Sequence, residues 1–151
     1  MKNCKGLWFC GLAGSGKTTA AKYLHKKKNK SLLIDGDEVR KLVSKDLKYT
    51  ERDRIIQINR LLGMAILCIK SNIFPIITSV YMNQKVLNQC KKYKIKIIEI
   101  KRNINRIKRV RKIYKNSKNV VSKDIKKKNL RIQKIFNNNL TNFYKDLKKV
   151  Y

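Results

Sequence analysis

The stretch Gly11–Thr18, which reads GLAGSGKT, most constrains what this chain can fold into. It satisfies the pattern G-x-x-x-x-G-K-[ST], follows the apolar run Leu7–Cys10, and precedes a helix-like segment that begins at Lys17. The glycines let the backbone curl around phosphate oxygens, and the N-terminus of the helix adds a positive dipole end. Lys17 can reach the β- and γ-phosphates of a nucleotide, and Thr18 can offer its hydroxyl to Mg²⁺. The motif therefore predicts binding of ATP or GTP.

Length and composition exclude several classes of protein. The 151 residues suffice for a single domain, 1–151, but not for a separate substrate domain. No stretch reaches the length of a membrane span, and the N-terminus lacks the apolar region of a signal peptide, so we expect a cytoplasmic protein without a membrane partner. The four cysteines are far apart and there is one histidine, a pattern that indicates neither a zinc site nor disulfides but buried or incidental thiols.

The formal net charge of +30 raises the question of nucleic-acid binding. Lysine is spread along almost the whole chain and outnumbers arginine, and no basic patch is interleaved with aromatic residues that would stack on bases. We therefore expect only non-specific, salt-sensitive adhesion to nucleic acids.

Apolar runs alternate with helix-like segments along the chain. The runs predict five strands: Leu7–Cys10, Ser31–Ile34, Phe74–Val80, Ile95–Ile100 and Leu130–Gln133. The other segments predict six helices: Gly16–Lys26, Glu38–Ser44, a helix capped by Thr50 that runs to Lys70, Asn83–Lys92, Asn103–Tyr114 and Leu140–Tyr151. The alternation predicts an α/β fold with three layers, α/β/α, around a parallel sheet of about five strands.

Two segments carry more detailed expectations. In the long helix the spacing of the apolar residues predicts one buried stripe, made of Ile55, Ile58, Leu61, Leu62, Ala65, Ile66 and Ile69. The polar segment Lys115–Lys128 has no clear period and predicts a mobile loop.

The acidic residues narrow the class of reaction. Six of the nine fall between Asp35 and Asp53, and the sequence Asp35-Gly36-Asp37 directly follows the second predicted strand. Because ligands of open α/β sheets bind beyond the carboxyl ends of the strands, both carboxylates should face the phosphate loop. A GTPase would carry an N-K-x-D motif and a strand ending in D-x-x-G, which are absent from the sequence, and a motor ATPase is normally longer. A D-x-D pair in this place is typical of small-molecule kinases, in which one carboxylate serves the metal and the other orients the acceptor hydroxyl.

Four stretches together resemble the adenylylsulfate kinases. They are Gly11–Thr19, Leu33–Arg40, Asp46–Arg54 and Lys118–Ile125, the last of which is similar to that family's K-N-[FV]-[TV]-G-x-D lid segment. The resemblance covers most of residues 6–125 and implies a P-loop kinase fold. It also implies transfer of the γ-phosphate of ATP, with Mg²⁺, to the 3′-hydroxyl of adenosine 5′-phosphosulfate, by a protein that forms homodimers.

The resemblance implies roles for individual residues. On the ATP side these are Gly11, Ala13, Gly14, Ser15, Gly16, Lys17, Thr18 and Thr19, with Lys118, Asn119 and Val120 in a lid of about residues 112–128 to which Lys112 adds a basic side chain. On the acceptor side they are Asp37, Arg40, Tyr49, Arg54, Gln57 and Ser79. The implied catalytic residues are Lys17, Asp35 and Asp37, and the implied metal ligands are Thr18 and Asp35.

Some of these roles stay open in the sequence. It does not decide which of Asp35 and Asp37 serves the metal and which the acceptor hydroxyl. Arg40 and Arg54 match the arginines that grip the anionic 5′ end of the acceptor, a task suited to the fixed fork of a guanidinium. Tyr49 matches an aromatic residue near the acceptor base, but it also suits a core position.

The acceptor side departs from the family pattern at several positions. Gln57 stands where the family usually has Asn, Asn59 replaces the first of two usual arginines, Ser122 takes the place of the lid glycine, and the segment Ser79–Lys85 differs throughout. These departures leave room for a related acceptor such as cytidine diphosphoramidate, which is associated with relatives in bacterial capsule clusters. The alternative from another class is a nucleic-acid-binding module with a vestigial nucleotide site.

Overall fold

The computed structural model describes residues 4–110, 113–126 and 129–150. Within these ranges five strands form one sheet: β1 (Gly6–Cys10), β2 (Ser31–Asp35), β3 (Phe74–Ser79), β4 (Ile95–Lys101) and β5 (Gln133–Phe136). The helices are α1 (Lys17–His25), α2 (Gly36–Leu42), α3 (Glu51–Lys70), α4 (Gln84–Lys92), α5 (Ile104–Val110), α6 (Ile113–Asn116) and α7 (Leu140–Lys148).

The sheet is parallel throughout, with the strand order β2-β3-β1-β4-β5. The central strand β1 lies between β3 and β4, so the chain passes to one side of β1 first and to the other side later. Such a switch in direction opens a crevice at the carboxyl ends of the strands, where α/β proteins bind their ligands. The predicted α/β fold is confirmed, and the phosphate loop leaves β1 at this crevice.

The alternation of side chains along the strands divides the core in two. One face of β1, β3 and β4 presents Trp8, Ile77 and Ile97 to α3 and α4. The other face presents Phe9, Ile76 and Ile98 to a cluster that includes Ala20, Leu24, Phe143 and Leu147 of α1 and α7. Strands that are covered on both faces need continuous apolar runs, which explains why β1 and β3 were recognisable in the sequence.

The last strand lies three residues later than the sequence predicted, at Gln133–Phe136 and not at Leu130–Gln133. The amide of Ile132 donates to the carbonyl of Leu130 at 3.0 Å, a tight bend that no strand residue can make. The side chain of Leu130 is nevertheless buried and that of Ile132 packs against the core. The strand prediction for residues 130–132 was therefore wrong, since their apolar pattern reflects burial in the core.

Several helix boundaries also differ from the prediction. Helix α2 begins at Gly36, two residues early, because the side chain of Asp35 accepts a hydrogen bond from the amide of Asp37 and caps it. The segment predicted as one helix, Asn103–Tyr114, contains α5 and the start of α6, and residues 111 and 112 lie outside the described part. The terminal helix ends at Lys148.

The buried stripe of α3 is shorter than predicted. Ile58, Leu61, Leu62 and Ala65 are buried, Ile66 and Ile69 are partly buried, but Ile55 is 37% exposed. Ile55 is the fifth residue of the helix and lies at the end of the buried stripe. The caps agree with the prediction, since Thr50 accepts a hydrogen bond from the amide of Asp53 at 3.2 Å.

Two further expectations concern the thiols and the membrane. Cys10, Cys68 and Cys90 are buried and Cys4 is partly buried, and none of these four described cysteines forms a disulfide. Burial raises the pKa of Cys90 to about 12, so this thiol stays protonated. Among the described helices, none combines the length and the apolarity that spanning a bilayer requires.

The packing of α7 supplies a test of the core. Phe143 has no exposed surface, whereas Phe136 at the end of β5 is 54% exposed. We expect Phe143→Ala to lower the free energy of unfolding by about 3–5 kcal/mol because it leaves a cavity, as truncation of buried aromatic residues does. Phe136→Ala is the matched control and should change it by about 0.5 kcal/mol or less. Urea denaturation of both variants measures the difference, and equal effects would contradict the placement of α7.

Candidate active site

The phosphate loop joins β1 to α1 and has the conformation that its sequence predicts. Gly11 has a φ of 148°, and a Cβ added there would collide with the carbonyl oxygen of Ile100. Gly16 is the N-cap of α1 with a left-handed φ of 104° and no side-chain cap. Lys17 is buried and its Nζ donates to the carbonyl of Leu12 at 2.9 Å. The uncapped helix N-terminus and the folded-back lysine together form a cradle for an anion.

The carboxylate of Asp35 ties the loop to the neighbouring strands. Its Oδ2 accepts hydrogen bonds from the hydroxyl of Thr18 at 2.9 Å and from that of Thr78 at 3.0 Å. Its Oδ1 accepts from the amide of Asp37 at 3.0 Å. Asp35 thus sits beside the threonine of the loop, while the exposed Asp37 is the second residue of α2. Thr78 was missed in the sequence because a threonine in a predicted strand carries no signal of function.

A cavity of about 540 Å³ lies at the carboxyl ends of the strands beside these carboxylates. It brings together the six acceptor-side residues that the resemblance implied: Asp37, Arg40, Tyr49, Arg54, Gln57 and Ser79. Ala13, Lys17 and Thr18 of the phosphate loop line the same cavity. A single cavity therefore joins the phosphate loop to the predicted acceptor side.

Two arginines flank the ring of Tyr49 in this cavity. Their Cζ atoms lie 4.8 Å (Arg40) and 5.5 Å (Arg54) from the ring centroid. Tyr49 is 51% exposed, so it is not a core residue, the alternative that the sequence had left open. Burial, and next the charge of Arg40, lower the pKa of Arg54. Within the described part of the chain neither guanidinium forms an ion pair, so both charges are available to an anion.

The backbone holds both arginines in place. Arg40 donates to the carbonyl of Lys48 at 2.6 Å. Arg54 donates from Nε to the carbonyl of Tyr49 at 3.1 Å and from Nη2 to the carbonyl of Asn119 at 2.8 Å. The guanidinium groups are therefore oriented before a ligand arrives, which lowers the entropy lost on binding.

The segment after β3, which departs from the family pattern, is fixed by a chain of hydrogen bonds. Trp8 donates from its indole nitrogen to Ser79 Oγ at 2.9 Å, and Ser79 donates to the carbonyl of Tyr81 at 2.8 Å. The hydroxyl of Tyr81 donates to Glu51 at the start of α3 at 2.9 Å. Tyr81 is a cavity residue that the sequence prediction missed, because its alignment with the family is lost there.

The lid segment packs more closely than its polar sequence suggested. Val120, Val121 and Ile125 are buried, and Val121 and Ile125 form an isolated bridge. The hydroxyl of Tyr114 donates to the carbonyl of Ala13 in the phosphate loop at 3.2 Å. Lys112 lies outside the described residues.

The predicted ATP-side residues of the lid are not all at the cavity. Val120 lines it, but Lys118 and Asn119 are exposed and do not. Thr19 is exposed on α1 and does not line it either.

A second cavity, of about 360 Å³, lies on the other side of the phosphate loop. It is lined by Ser15, Arg102, Phe136 and Asn138, among others. The neighbouring Asn137 donates to the carbonyl of Ser15 at 2.8 Å and so connects the end of β5 to the loop. These residues were missed in the sequence, although the carboxyl ends of β4 and β5 are where the fold predicts ligand contacts.

These features are typical of P-loop proteins, in which a phosphate-binding loop and a ligand cavity share one edge of the sheet. A family model described as "Adenylylsulphate kinase" matches residues 3–133, and the chain belongs to this family.

Individual relatives match over shorter stretches. An adenylyl-sulfate kinase of Pseudomonas entomophila is 43% identical over 58 residues, which are 36% of this chain and 28% of the relative. The bifunctional enzyme NodQ of Rhizobium meliloti is 44% identical over 63 residues, 39% of this chain and 10% of the relative. The matched stretches thus span well under two thirds of these relatives.

The fold has close counterparts among solved structures. The Mycobacterium tuberculosis APS kinase CysC, solved in complex with AMPPNP and APS, has a TM-score of 0.83 over 98% of this chain and 95% of that chain, at 17% identity. A gluconokinase of Sinorhizobium meliloti has a TM-score of 0.64 over 98% of this chain and 94% of that chain, at 9% identity. At these identities the likeness concerns the fold alone.

The hydrogen bond between Tyr81 and Glu51 makes a prediction about pH. Burial, and next the bond to Glu51, raise the pKa of Tyr81 from 10.0 to about 12, so the fold favours the neutral phenol. The stabilisation of the fold by the neutral phenol is complete below pH 10, the ordinary pKa of tyrosine. It is lost as the pH rises towards 12. The absorbance of the wild type at 295 nm minus that of Tyr81→Phe should therefore titrate near pH 12. A midpoint near pH 10 would contradict the bond.

Proposed function

We propose that this protein transfers the γ-phosphate of ATP to the ribose 3′-hydroxyl of adenosine 5′-phosphosulfate. The observation that carries the proposal is the single cavity in which the phosphate loop, the carboxylate of Asp37, and Arg40 and Arg54 meet, with Asp35 hydrogen-bonded to the lining residue Thr18. Membership of the adenylylsulfate kinase family supports it. The proposal includes a cytoplasmic location, where ATP is supplied, and a homodimer.

In this proposal ATP binds at the phosphate loop. The N-terminus of α1 and Lys17 bind the phosphates of ATP, and the second cavity, beside Ser15 and Phe136, has room for the base. The oxygen donors of Thr18 and Asp35, which lie 2.9 Å apart, are the hard ligands that Mg²⁺ prefers. A bound Mg²⁺ would neutralise charge on the transferred phosphoryl group.

The two carboxylates, Asp35 and Asp37, have different roles in this proposal. The carboxylate of Asp35 accepts hydrogen bonds from Thr18, from Thr78 and from the amide of Asp37. This fixed position suits a metal ligand. Asp37 lines the cavity and accepts a hydrogen bond from the acceptor hydroxyl, which it thereby aims at the phosphoryl group. Arg40 and Arg54 bind the anionic 5′ end, and Tyr49 packs beside it. The reaction then needs mostly positioning and charge neutralisation.

An assay of ADP release tests the proposal directly. The wild type should turn over ATP in the presence of adenosine 5′-phosphosulfate and much more slowly without an acceptor. Lys17→Ala should lower kcat by at least about 100-fold, since it removes a positive charge from the phosphates. No turnover of this acceptor, together with turnover of cytidine diphosphoramidate, would replace the proposed substrate. Full activity of Lys17→Ala would overturn the mechanism.

Arg54 and Arg60 form a matched pair on α3. Arg54 lines the cavity, whereas Arg60 forms an ion pair with Asp46 at 2.6 Å on the surface. Arg54→Met should raise KM for the acceptor by roughly 10- to 100-fold, because it removes a charge-assisted hydrogen bond to the anion. KM for ATP should hardly change. Arg60→Met should leave both constants near the wild-type values, and similar effects of the two variants would argue against an anion site at Arg54.

A further inference from the structure

Asn137 directly follows β5 and lies beside the phosphate loop. Its amide donates to the carbonyl of Lys101 at 2.7 Å, so the pairing of β5 with β4 continues one residue past the end of β5. The next residue is held as well, since Asn138 Oδ1 accepts a hydrogen bond from the amide of Asn103 at 3.0 Å. The sheet therefore fixes the place from which Asn137 reaches the loop.

The side chain of Asn137 is bonded to the loop in one orientation. Nδ2 donates to the carbonyl of Ser15 at 2.8 Å. A carbonyl oxygen can only accept a hydrogen bond, so the NH₂ group must face Ser15. A Cβ added to Gly16 would collide with this nitrogen, so the glycine at position 16 leaves the space that the amide of Asn137 fills.

This hydrogen bond sets the direction of one peptide group in the loop. The carbonyl of Ser15 and the amide of Gly16 belong to the same planar trans peptide, in which C=O and N–H point in opposite directions. Because Asn137 holds the oxygen, the N–H of Gly16 points away from Asn137. No residue in the described ranges accepts a hydrogen bond from this N–H, which lies at the uncapped N-terminus of α1.

The loop needs such support from outside. Ser15 lies between Gly14 and Gly16, both of which have a positive φ, and glycine permits several backbone conformations. The amide of Ser15 donates to the carbonyl of Leu12 at 3.1 Å, a bond that fixes the peptide before Ser15 and not the one after it. Among the described residues only Asn137 donates to the carbonyl of Ser15. Without Asn137, a bound phosphate would have to order this peptide itself, which weakens binding.

We propose that Asn137 is a positioning residue for nucleotide binding, which aims the N–H of Gly16 at a phosphate oxygen of ATP. A phosphate oxygen is an anionic acceptor, so this hydrogen bond is charge-assisted and depends on direction. Asn137 touches no reacting atom and acts through the backbone of the loop. The inference rests on the proposed function for the identity of the nucleotide, and it does not depend on the acceptor.

Equilibrium binding of the non-hydrolysable β,γ-imido analogue of ATP, measured by titration calorimetry with Mg²⁺, tests this role without an acceptor. Asn137→Leu removes the donor, and we expect it to raise Kd for the analogue by roughly 10-fold. Asn137→Asp should raise Kd further, because a carboxylate repels the carbonyl of Ser15 and the phosphates. Asn142→Leu, at an exposed position of α7, is the control and should leave Kd unchanged.

The NMR signal of the Gly16 amide separates orientation from stability. The chain has six glycines, so protein labelled with ¹⁵N-glycine gives a simple spectrum. At saturating analogue, the Gly16 amide proton of the wild type should move downfield, as a hydrogen bond to an anionic oxygen requires. Asn137→Leu should lose most of this shift, while the exposed Gly63 should stay unmoved in both proteins.

Equal Kd values for the wild type and Asn137→Leu would overturn the inference. An undiminished Gly16 shift in Asn137→Leu would also overturn it, because a merely structural role lowers affinity without turning the N–H. If Asn137→Leu does not fold, Asn137→Asp retains the shape of the side chain and decides by the same two measurements. Binding that depends on Asn137, without turnover of adenosine 5′-phosphosulfate, would support the inference and overturn the proposed function. No binding of the analogue by the wild type would overturn both.

Discussion

The site depends on the hydrogen bonds to one carboxylate, that of Asp35. Its two oxygens connect the phosphate loop through Thr18, strand β3 through Thr78 and the start of α2 through the amide of Asp37. Because these three elements meet only at the carboxyl edge of the sheet, the strand order places the bonds there. A carboxylate that accepts hydrogen bonds from three donors cannot swing away, so its position is fixed by the fold.

The acceptor side is organised by a different constraint, the cost of placing two cations close together. Arg40 and Arg54 flank Tyr49, and no described carboxylate compensates them by an ion pair. Their mutual repulsion is tolerated because backbone carbonyls and the face of the aromatic ring take part of each charge. An anion bound between them would relieve the remaining repulsion. The net charge of +30 acts in the same direction, since it attracts anions to the protein.

The phosphate loop, the D-x-D pair and the arginines were predictable because each depends on residue type at short spacing. Contacts between distant segments were not. Thr78 and Tyr81 belong to the site only because β3 ends beside β2 and because Tyr81 reaches Glu51, 30 residues away in the chain. The sequence placed β5 too early because Leu130 and Ile132 are apolar. Both residues pack in the core, but they form a bend, and apolar character alone does not distinguish a bend from a strand. The roles proposed for individual residues remain predictions for the variants to test.

The sequence by itself determined the class of fold and the reaction that the loop makes possible, because periodicity and short motifs act locally along the backbone. It did not distinguish the surroundings of Asp35 from those of Asp37, because both residues are aspartates. Only the tertiary structure distinguished them, since Asp35 meets Thr18 and Thr78 while Asp37 is turned by α2 towards the cavity. It also decided the orientation of the Gln57 amide, whose Nε2 donates to the carbonyl of Gly36 on another helix. Such contacts join segments that are distant in the chain, so no local pattern encodes them.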